Sequence, residues 1–353
     1  QVSFVPMQKV SETGDIDVSE IKLFREVKKG FTAFRDGDVL LAKITPCMEN
    51  GKGAIAKGMF NGVGFGSTEF HVLRPNYLQI TSEWLFYLTS WEVFRKECEI
   101  HMTGSAGQKR VPKAFLDEYE IRIPTLDEQQ NIVRVLDRIC NLITLRKQQL
   151  AKLDELVKAR FVEMFGDPAC VINRLPRAPM TALCEIIDGD RGANYPKQNE
   201  LFEQGDCLFL NAKNVTATGF SFDSCMFITR EKDMLMRKGK LRRGDVVLTT
   251  RGTIGNLAIY DDKVPFDNIR INSGMVILRM KPNCLLEVFF MEQFKLLLTS
   301  IKERVASGSA QPQLPISTMN NIRMLIPAVH EQQKFTSLVE KTAKSKLTIQ
   351  QSL

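Results

Sequence analysis

The sequence predicts an α+β (mixed α/β) protein made of two repeated globular domains, each followed by a long helix. Three observations carry this. The chain has 353 residues, 44% hydrophobic and 25% charged, an ordinary globular composition at a length that suits two domains. Short segments recur in the same order about 205 residues apart. The stretch from Leu126 to Phe165 contains no Pro or Gly and carries apolar residues at helical spacing.

The repeat fixes the domain plan. Phe4-Val-Pro-Met-Gln-Lys-Val-Ser-Glu-Thr-Gly14 resembles Phe209-Leu-Asn-Ala-Lys-Asn-Val-Thr-Ala-Thr-Gly219. Arg35-Asp-Gly-Asp-Val-Leu-Leu41 resembles Arg242-Arg-Gly-Asp-Val-Val-Leu248, and Gly104-Ser-Ala-Gly-Gln108 resembles Gly308-Ser-Ala-Gln311. Ile123-Pro124 with Glu128-Gln-Gln130 recurs as Ile326-Pro327 with Glu331-Gln-Gln333. Each match alone is weak; four in one order with nearly constant offset indicate duplication, and two copies exclude a solenoid. The expected parts are a first globular domain at 1–124, a long helix at 125–167, a second domain at 168–327 and a second helix at 328–353. The second copy starts near Ala169, and 205 residues back from there lies about 36 residues before Gln1. The chain is therefore expected to be clipped at both ends, the alternative being a shorter first copy.

Each element follows from local chemistry. Asp38–Ile44 and Asp245–Arg251 read as short strands after Gly-Asp turns, with further strands at Leu257–Tyr260 and Ser273–Leu278. Amphipathic helices are expected at roughly 82–99 and 285–304. Thr125 with Glu128 forms a capping-box pattern for the long helix, and Gly166-Asp-Pro168 stops it. Its apolar stripe runs through Ile132, Val135, Leu136, Ile139, Leu142, Ile143, then Leu150, Leu153, Leu156 and Val157. Forty residues at ~1.5 Å each make a rod of roughly 60 Å, too long for one small domain to wrap. Its natural partner is its own repeat, His330 to Leu353, with Phe335, Leu338, Val339, Ala343 and Leu347.

Several function classes are excluded or weakened. The greasiest run, Leu285 to Leu298, is broken by Glu287, Glu292 and Lys295, so no membrane span is expected. Eight scattered cysteines and three histidines give neither CxxC pairs nor a metal-ligand cluster, and suit a reducing cytoplasm. There is no P-loop and no Gly-x-Ser-x-Gly elbow. Gly62-Val-Gly-Phe-Gly66 lacks the following helix and ribose-binding acid of a dinucleotide site. No Asn-Pro-Pro-aromatic motif for amino-group methylation is present, and no catalytic residue is expected. Forty-eight basic against 41 acidic residues leave a net +7, a mild lean toward a polyanion.

What remains are basic, amide-rich and glycine-rich loops that occur in both copies. Arg251-Gly-Thr-Ile-Gly-Asn256 follows a strand directly, and its counterpart is Lys43-Ile-Thr-Pro-Cys-Met-Glu-Asn-Gly-Lys-Gly53. Glycines allow close backbone approach, while Arg, Lys, Asn and Gln suit phosphates and base edges. The candidate DNA-binding residues are Gln8, Lys9, Lys43, Thr45, Lys52, Ser105, Gln108, Lys109 and Arg110 in the first copy. Those of the second copy are Lys213, Asn214, Arg251, Thr253, Asn256, Ser309 and Gln311. The plain alternative for each is a wet turn. Recurrence of each loop type, with different residues in the two copies, favours one scaffold carrying two specificities.

The chain resembles the specificity subunits of type I restriction-modification systems. The resemblance rests on the two Ile-Pro…Glu-Gln-Gln segments and on Leu150-Ala-Lys-Leu-Asp-Glu-Leu-Val-Lys-Ala-Arg-Phe-Val-Glu-Met-Phe-Gly-Asp-Pro168. It implies two target-recognition domains joined by two long helices that pack as an antiparallel coiled coil. It also implies a non-catalytic subunit that reads a bipartite site in double-stranded DNA. Two DNA methyltransferase subunits and restriction/translocase subunits would be the partners, with S-adenosylmethionine and ATP bound on those partners only. The departures are the missing front of the first domain and the short second helix. The competing expectation is a structural protein that docks a partner through its long helices and reads no DNA.

Overall fold

The computed structural model describes residues 1–105, 107–170, 172–306 and 313–352. It divides into two compact units, Gln1–Thr144 and Leu145–Leu353. The boundary falls inside one continuous helix, Leu126–Phe165, so each unit owns half of it.

In the first unit, one sheet runs in the order Ile21–Lys22, Val2–Val5, Val63–Gly66, Thr32–Arg35, and a second in the order Gly53–Ile55, Val39–Ala42, Phe70–Leu73. Val2–Val5 runs parallel to Val63–Gly66 with Phe4 opposite Phe65; the other pairings are antiparallel. The second unit repeats the plan. Cys207–Leu210 lies parallel to Ile269–Ile271 and antiparallel to Phe227–Ile228. Val246–Thr249 lies between Leu257–Ile259 and Met275–Met280, and Cys184–Asp188 adds a fourth strand at the edge. Val39–Ala42 and Val246–Thr249 are buried at every residue, as unbroken apolar runs in covered strands should be. All four strands predicted from sequence form, each a few residues shorter or shifted by one or two.

The recurring Arg-x-Gly-Asp segments explain themselves. The carboxylate of Asp38 accepts from Arg35 N–H (2.9 Å) and, in a fork, from Arg74 Nε (2.8 Å) and Nη2 (2.7 Å). Asp245 does the same with Arg242 N–H (2.7 Å) and Arg279 Nε (2.8 Å) and Nη2 (2.7 Å). Both carboxylates are buried. The glycine before each has φ near +90°, and a Cβ on Gly37 would sit 1.9 Å from the Tyr77 hydroxyl oxygen.

The Glu-Gln-Gln segments are equally physical. Thr125 and Glu128 close a capping box, with Thr125 N–H donating to Glu128 Oε2 (2.8 Å) and Glu128 N–H to Thr125 Oγ1 (3.3 Å). Gln129, one turn in, is buried and donates through Nε2 to Gln79 O (2.7 Å) and Pro124 O (2.9 Å), while accepting from Thr81 N–H (2.9 Å). Gln332 repeats this with Cys284 O, Pro327 O and Leu286 N–H. Each long helix is thus tied by one amide to the start of an earlier helix, Ser82–Ser90 in the first case and Glu287–Ala306 in the second.

Two helix expectations change in detail. The predicted helix at 82–99 is two, Ser82–Ser90 and Glu92–Ile100. Thr89 back-bonds to Phe86 O (2.9 Å), Trp91 is extended, and Arg95 Nε caps Ser90 O (3.2 Å), so the chain breaks where weak helix formers meet a ready cap. The helix at 285–304 spans Glu287–Ala306. The long helix spans Leu126–Phe165 as predicted and ends where Gly166, at φ 76°, donates to Val162 O (2.8 Å).

The final helix, Val329–Gln351, packs in the second unit. Phe335 meets Phe161 and Phe165 near the end of the long helix, while Lys346 ion-pairs with Asp154 earlier in it, so the two run antiparallel. Phe161, Phe165, Phe289 and Phe335 form one aromatic cluster with ring centroids 5.1–6.0 Å apart. Of the expected seam, Phe335 is buried and Leu338 and Val339 are half-buried, but Ala343 and Leu347 are exposed. No helix among the described residues is long and apolar enough to cross a membrane.

Candidate nucleic-acid interface

Three loops that are far apart in sequence meet in the first unit, and the described parts of their counterparts meet in the second. In the first, Thr45 N–H donates to Lys109 O (3.0 Å), Val111 N–H to Lys43 O (2.9 Å), and Thr103 and Arg110 exchange backbone bonds (3.0 and 2.8 Å). Lys52 Nζ reaches Met7 O (3.3 Å) and Gly53 N–H reaches Ser11 O (3.3 Å), which brings in the turn Met7–Lys9. In the second unit, Leu314 N–H donates to Thr250 O (2.9 Å) and Arg251 pairs with Gln313. Asn256 Nδ2 holds Val215 O (2.8 Å), next to the turn Ala212–Asn214. The described parts of the second unit therefore repeat the first unit's arrangement.

The fourteen candidate residues that the structure describes separate into two groups. Gln8, Ser105, Gln108, Lys109, Lys213, Arg251 and Thr253 face outward. The others are half-buried or engaged within the fold. Lys9 Nζ pairs with Asp17 (3.1 Å) and lies 3.7 Å from Glu20. Two bonds from Ser19 and one from Lys9 pull the Asp17 carboxyl down to about 2. Lys43 is half-buried at its strand end. Thr45 donates to Glu49 Oε1 (2.6 Å), and Lys52 is held as described. Arg110 forks onto Glu69 (2.9 and 2.8 Å) and holds that carboxyl below its usual range. Asn214 corrects the expectation most clearly. It is buried, its amide donates to Ser221 O (3.1 Å) and Ser224 O (2.8 Å), and it accepts from Asn211 N–H (3.0 Å). It builds the turn that displays Lys213, because short amide side chains satisfy turn backbone. Asn256 likewise supports its loop. Ser309 and Gln311 lie outside the described residues.

Arg251 opens onto a cleft of about 230 Å³ in the second unit, lined also by Asp188, Arg191, Thr250, Gln313 and Leu314. The Arg251 Nε donates to Gln313 Oε1 (3.1 Å), which turns the rest of the guanidinium outward. Asp188 and Arg191 escaped the sequence reading because positions 205 residues before them fall ahead of Gln1, so the sequence offered no internal match to them.

The site offers hydrogen-bond donors and positive charge rather than reactive groups. The thiols of Cys98, Cys184 and Cys207 are pushed up to about 12 by burial, so they are not nucleophiles at neutral pH. Among the described residues, no group of three or more His, Cys, Asp or Glu side chains is arranged to hold a metal.

Comparison with known proteins places this architecture. The family model described as "Type I restriction modification DNA specificity domain" matches twice, at residues 3–155 and 180–352. The specificity subunits of the type I restriction enzymes EcoAI and EcoEI of Escherichia coli are each 44% identical over 156 residues. Those matches cover 44% of this chain and 26% of each relative, so they span about a quarter of the curated relatives' length. The MjaIX specificity subunit of Methanocaldococcus jannaschii is 27% identical over 275 residues, 74% of this chain and 62% of that one. Two solved structures share the fold. The type I restriction-modification S subunit from M. genitalium gives a TM-score of 0.52 at 16% identity, covering 100% of this chain and 89% of that one. A chain from a structure of a type I R-M system gives 0.57 at 18% identity, covering 99% and 89%. With both halves matched by one family model, the chain belongs to the type I restriction-modification DNA specificity family.

Proposed function

We propose that this chain is a non-catalytic DNA-recognition subunit that reads a bipartite site in double-stranded DNA, one half per unit. The observation that carries the reading is the repeated loop arrangement among the described residues, with different outward side chains in the two units: Gln8, Gln108 and Lys109 in one, Lys213, Arg251 and Thr253 in the other. A duplicated reader suits a split duplex target. Bidentate side chains at such loops discriminate bases by ~1–3 kcal/mol each. The partners are DNA methyltransferase subunits, two from the two-fold repeat, and restriction/translocase subunits. S-adenosylmethionine and ATP act on those partners and not on this chain, and the complex works in the cytoplasm. The exposed row Ile132, Val135, Ile139 and Leu142 on the long helix supports partner docking. The relatives' naming as specificity subunits of restriction enzymes supports the assembly.

Duplex binding measured against salt tests the reading. A phosphate-contacting protein loses affinity linearly in log salt, with a slope of about −0.9 per phosphate neutralised. The expected result is a steep slope and no methyltransferase or nuclease activity in the pure chain. Salt-independent association with a partner and no duplex binding would select the docking reading instead.

A further inference from the structure

We propose that Lys28 with Lys29, and Arg237 with Lys238, are the phosphate-holding pairs of the two units: positioning residues that grip the DNA backbone beside each set of reading loops and carry no sequence preference. This rests on the DNA-recognition reading above and adds to it the residues that set where each unit sits on the duplex.

The pairs stand at matching points of the two units, in Val27-Lys28-Lys29-Gly30 and Met236-Arg237-Lys238-Gly239. Val27 is buried in one cluster with Val2, Phe4 and Phe65, and Met236 in one with Cys207, Phe209 and Ile228. The glycine after each pair has φ 82° and 83°. All four basic residues are exposed, and none of their side chains meets a partner among the described residues. Their backbone, in contrast, is engaged. Lys28 N–H donates to Phe24 O (2.9 Å), Arg237 N–H to Asp190 Oδ2 (2.8 Å), and Lys238 O accepts from Arg270 Nη1 (2.7 Å).

Each pair also lies at the sheet end that carries the candidate loops. In the first unit that end is marked by Gly66. Val5 pairs with Gly66 and leads into the turn with Gln8, and Glu69, just beyond Gly66, holds Arg110 and accepts from Lys43 N–H (2.9 Å). Thr32 pairs with Gly66 antiparallel, so the segment before it, with Lys28 and Lys29, leaves by the same end. In the second unit the end is marked by Ile271. Leu210 pairs with it and leads into the turn with Lys213, and Gly274 O, just beyond, accepts from Thr250 N–H (2.8 Å) and Arg251 N–H (3.2 Å). Gly239 O accepts from Ile271 N–H (2.9 Å), which brings Arg237 and Lys238 there too. Between the units the loop residues change type, as Gln8 against Lys213 does, whereas the pairs keep their charge as Lys-Lys and Arg-Lys. Base edges demand particular donors and acceptors; a phosphate demands charge and carries no sequence information. A kept charge beside changing loops is therefore the pattern of a backbone contact. Positive charge also suits the end of the short helix before each pair, but that role acts on stability and not on the salt dependence of binding.

The test is salt titration of duplex binding, with selection from randomised duplex DNA, on the full chain carrying Lys28→Ala with Lys29→Ala, or Arg237→Ala with Lys238→Ala. Each double variant should bind all duplexes more weakly and flatten the slope of log affinity against log salt by about 1 to 2, since each neutralised phosphate contributes about 0.9. The selected motif should stay that of wild type. The charge-keeping variants Lys28→Arg with Lys29→Arg, and Arg237→Lys, should keep the wild-type slope. An unchanged slope in the alanine variants, whether or not they melt lower, would overturn the proposal. So would loss of preference at a base position, or a flattened slope in the charge-keeping variants. The DNA-recognition reading fails separately, and takes this inference with it, if wild type itself binds no duplex.

Discussion

At the scale of single residues, the fold is organised by a few polar side chains repeated in both units. Asp38 shows the balance. Burial pushes its carboxyl up, but the Arg74 guanidinium and the Arg35 amide outweigh this and hold it below the usual carboxylate range. A carboxyl depressed by folding contributes stability above its unfolded pKa near 3.9 and loses it as pH falls through the folded value. Stability should therefore drop as pH falls below about 4, and Asp38→Asn should flatten that drop while costing about 2 kcal/mol at neutral pH. Urea melts across pH check both. Replacing Gln332 by Leu should cost about 2 kcal/mol, because Leu286 N–H, Cys284 O and Pro327 O lose their partner. Arg251→Ala should alter recognition of one half-site and leave the other; equal loss at both halves in a binding selection would contradict separate readers. Much of this was legible: the Arg-x-Gly-Asp and Glu-Gln-Gln repeats pointed to the residues that bear structure. Sequence alone did not separate Asn214, which builds a turn, from Lys213, which the turn displays. Both are polar loop residues, and only the hydrogen-bond partners distinguish them.

At the scale of elements, the long helix was the most legible part. Its cap, its stop and its forty-residue span follow from Thr125, Glu128 and Gly166, and local chemistry decides them. The break at Trp91 was not legible, because amphipathic spacing continues through it and the cap comes from Arg95 side-chain geometry. The final helix was half legible: apolar spacing placed Phe335 and Leu347 on one seam, yet Phe335 enters the aromatic cluster and Leu347 stays exposed. Truncations should show this. Phe335→Ala should cost about 3–5 kcal/mol, as deletion of a fully buried ring does, whereas Leu347→Ala should stay within about 0.5 kcal/mol. Denaturant midpoints of the two variants decide it.

At the scale of the whole molecule, duplication is the governing fact. The central strand pairings, the Asp–Arg clamps and the glutamine ties all recur. The repeat was visible in sequence because these residues are constrained by backbone geometry. The outward loop side chains proposed to read DNA were not, because on the proposed function a scaffold serving two specificities must let them vary. The cleft with Asp188 and Arg191 escaped for a different reason: at the repeat offset its residues have no match within the sequence. The most direct test of the central claim is selection of randomised duplex DNA by the chain together with its methyltransferase partner. The account predicts retained sequences with two short defined blocks separated by an undefined spacer of fixed length. Enrichment of one block alone, or of none, would contradict it.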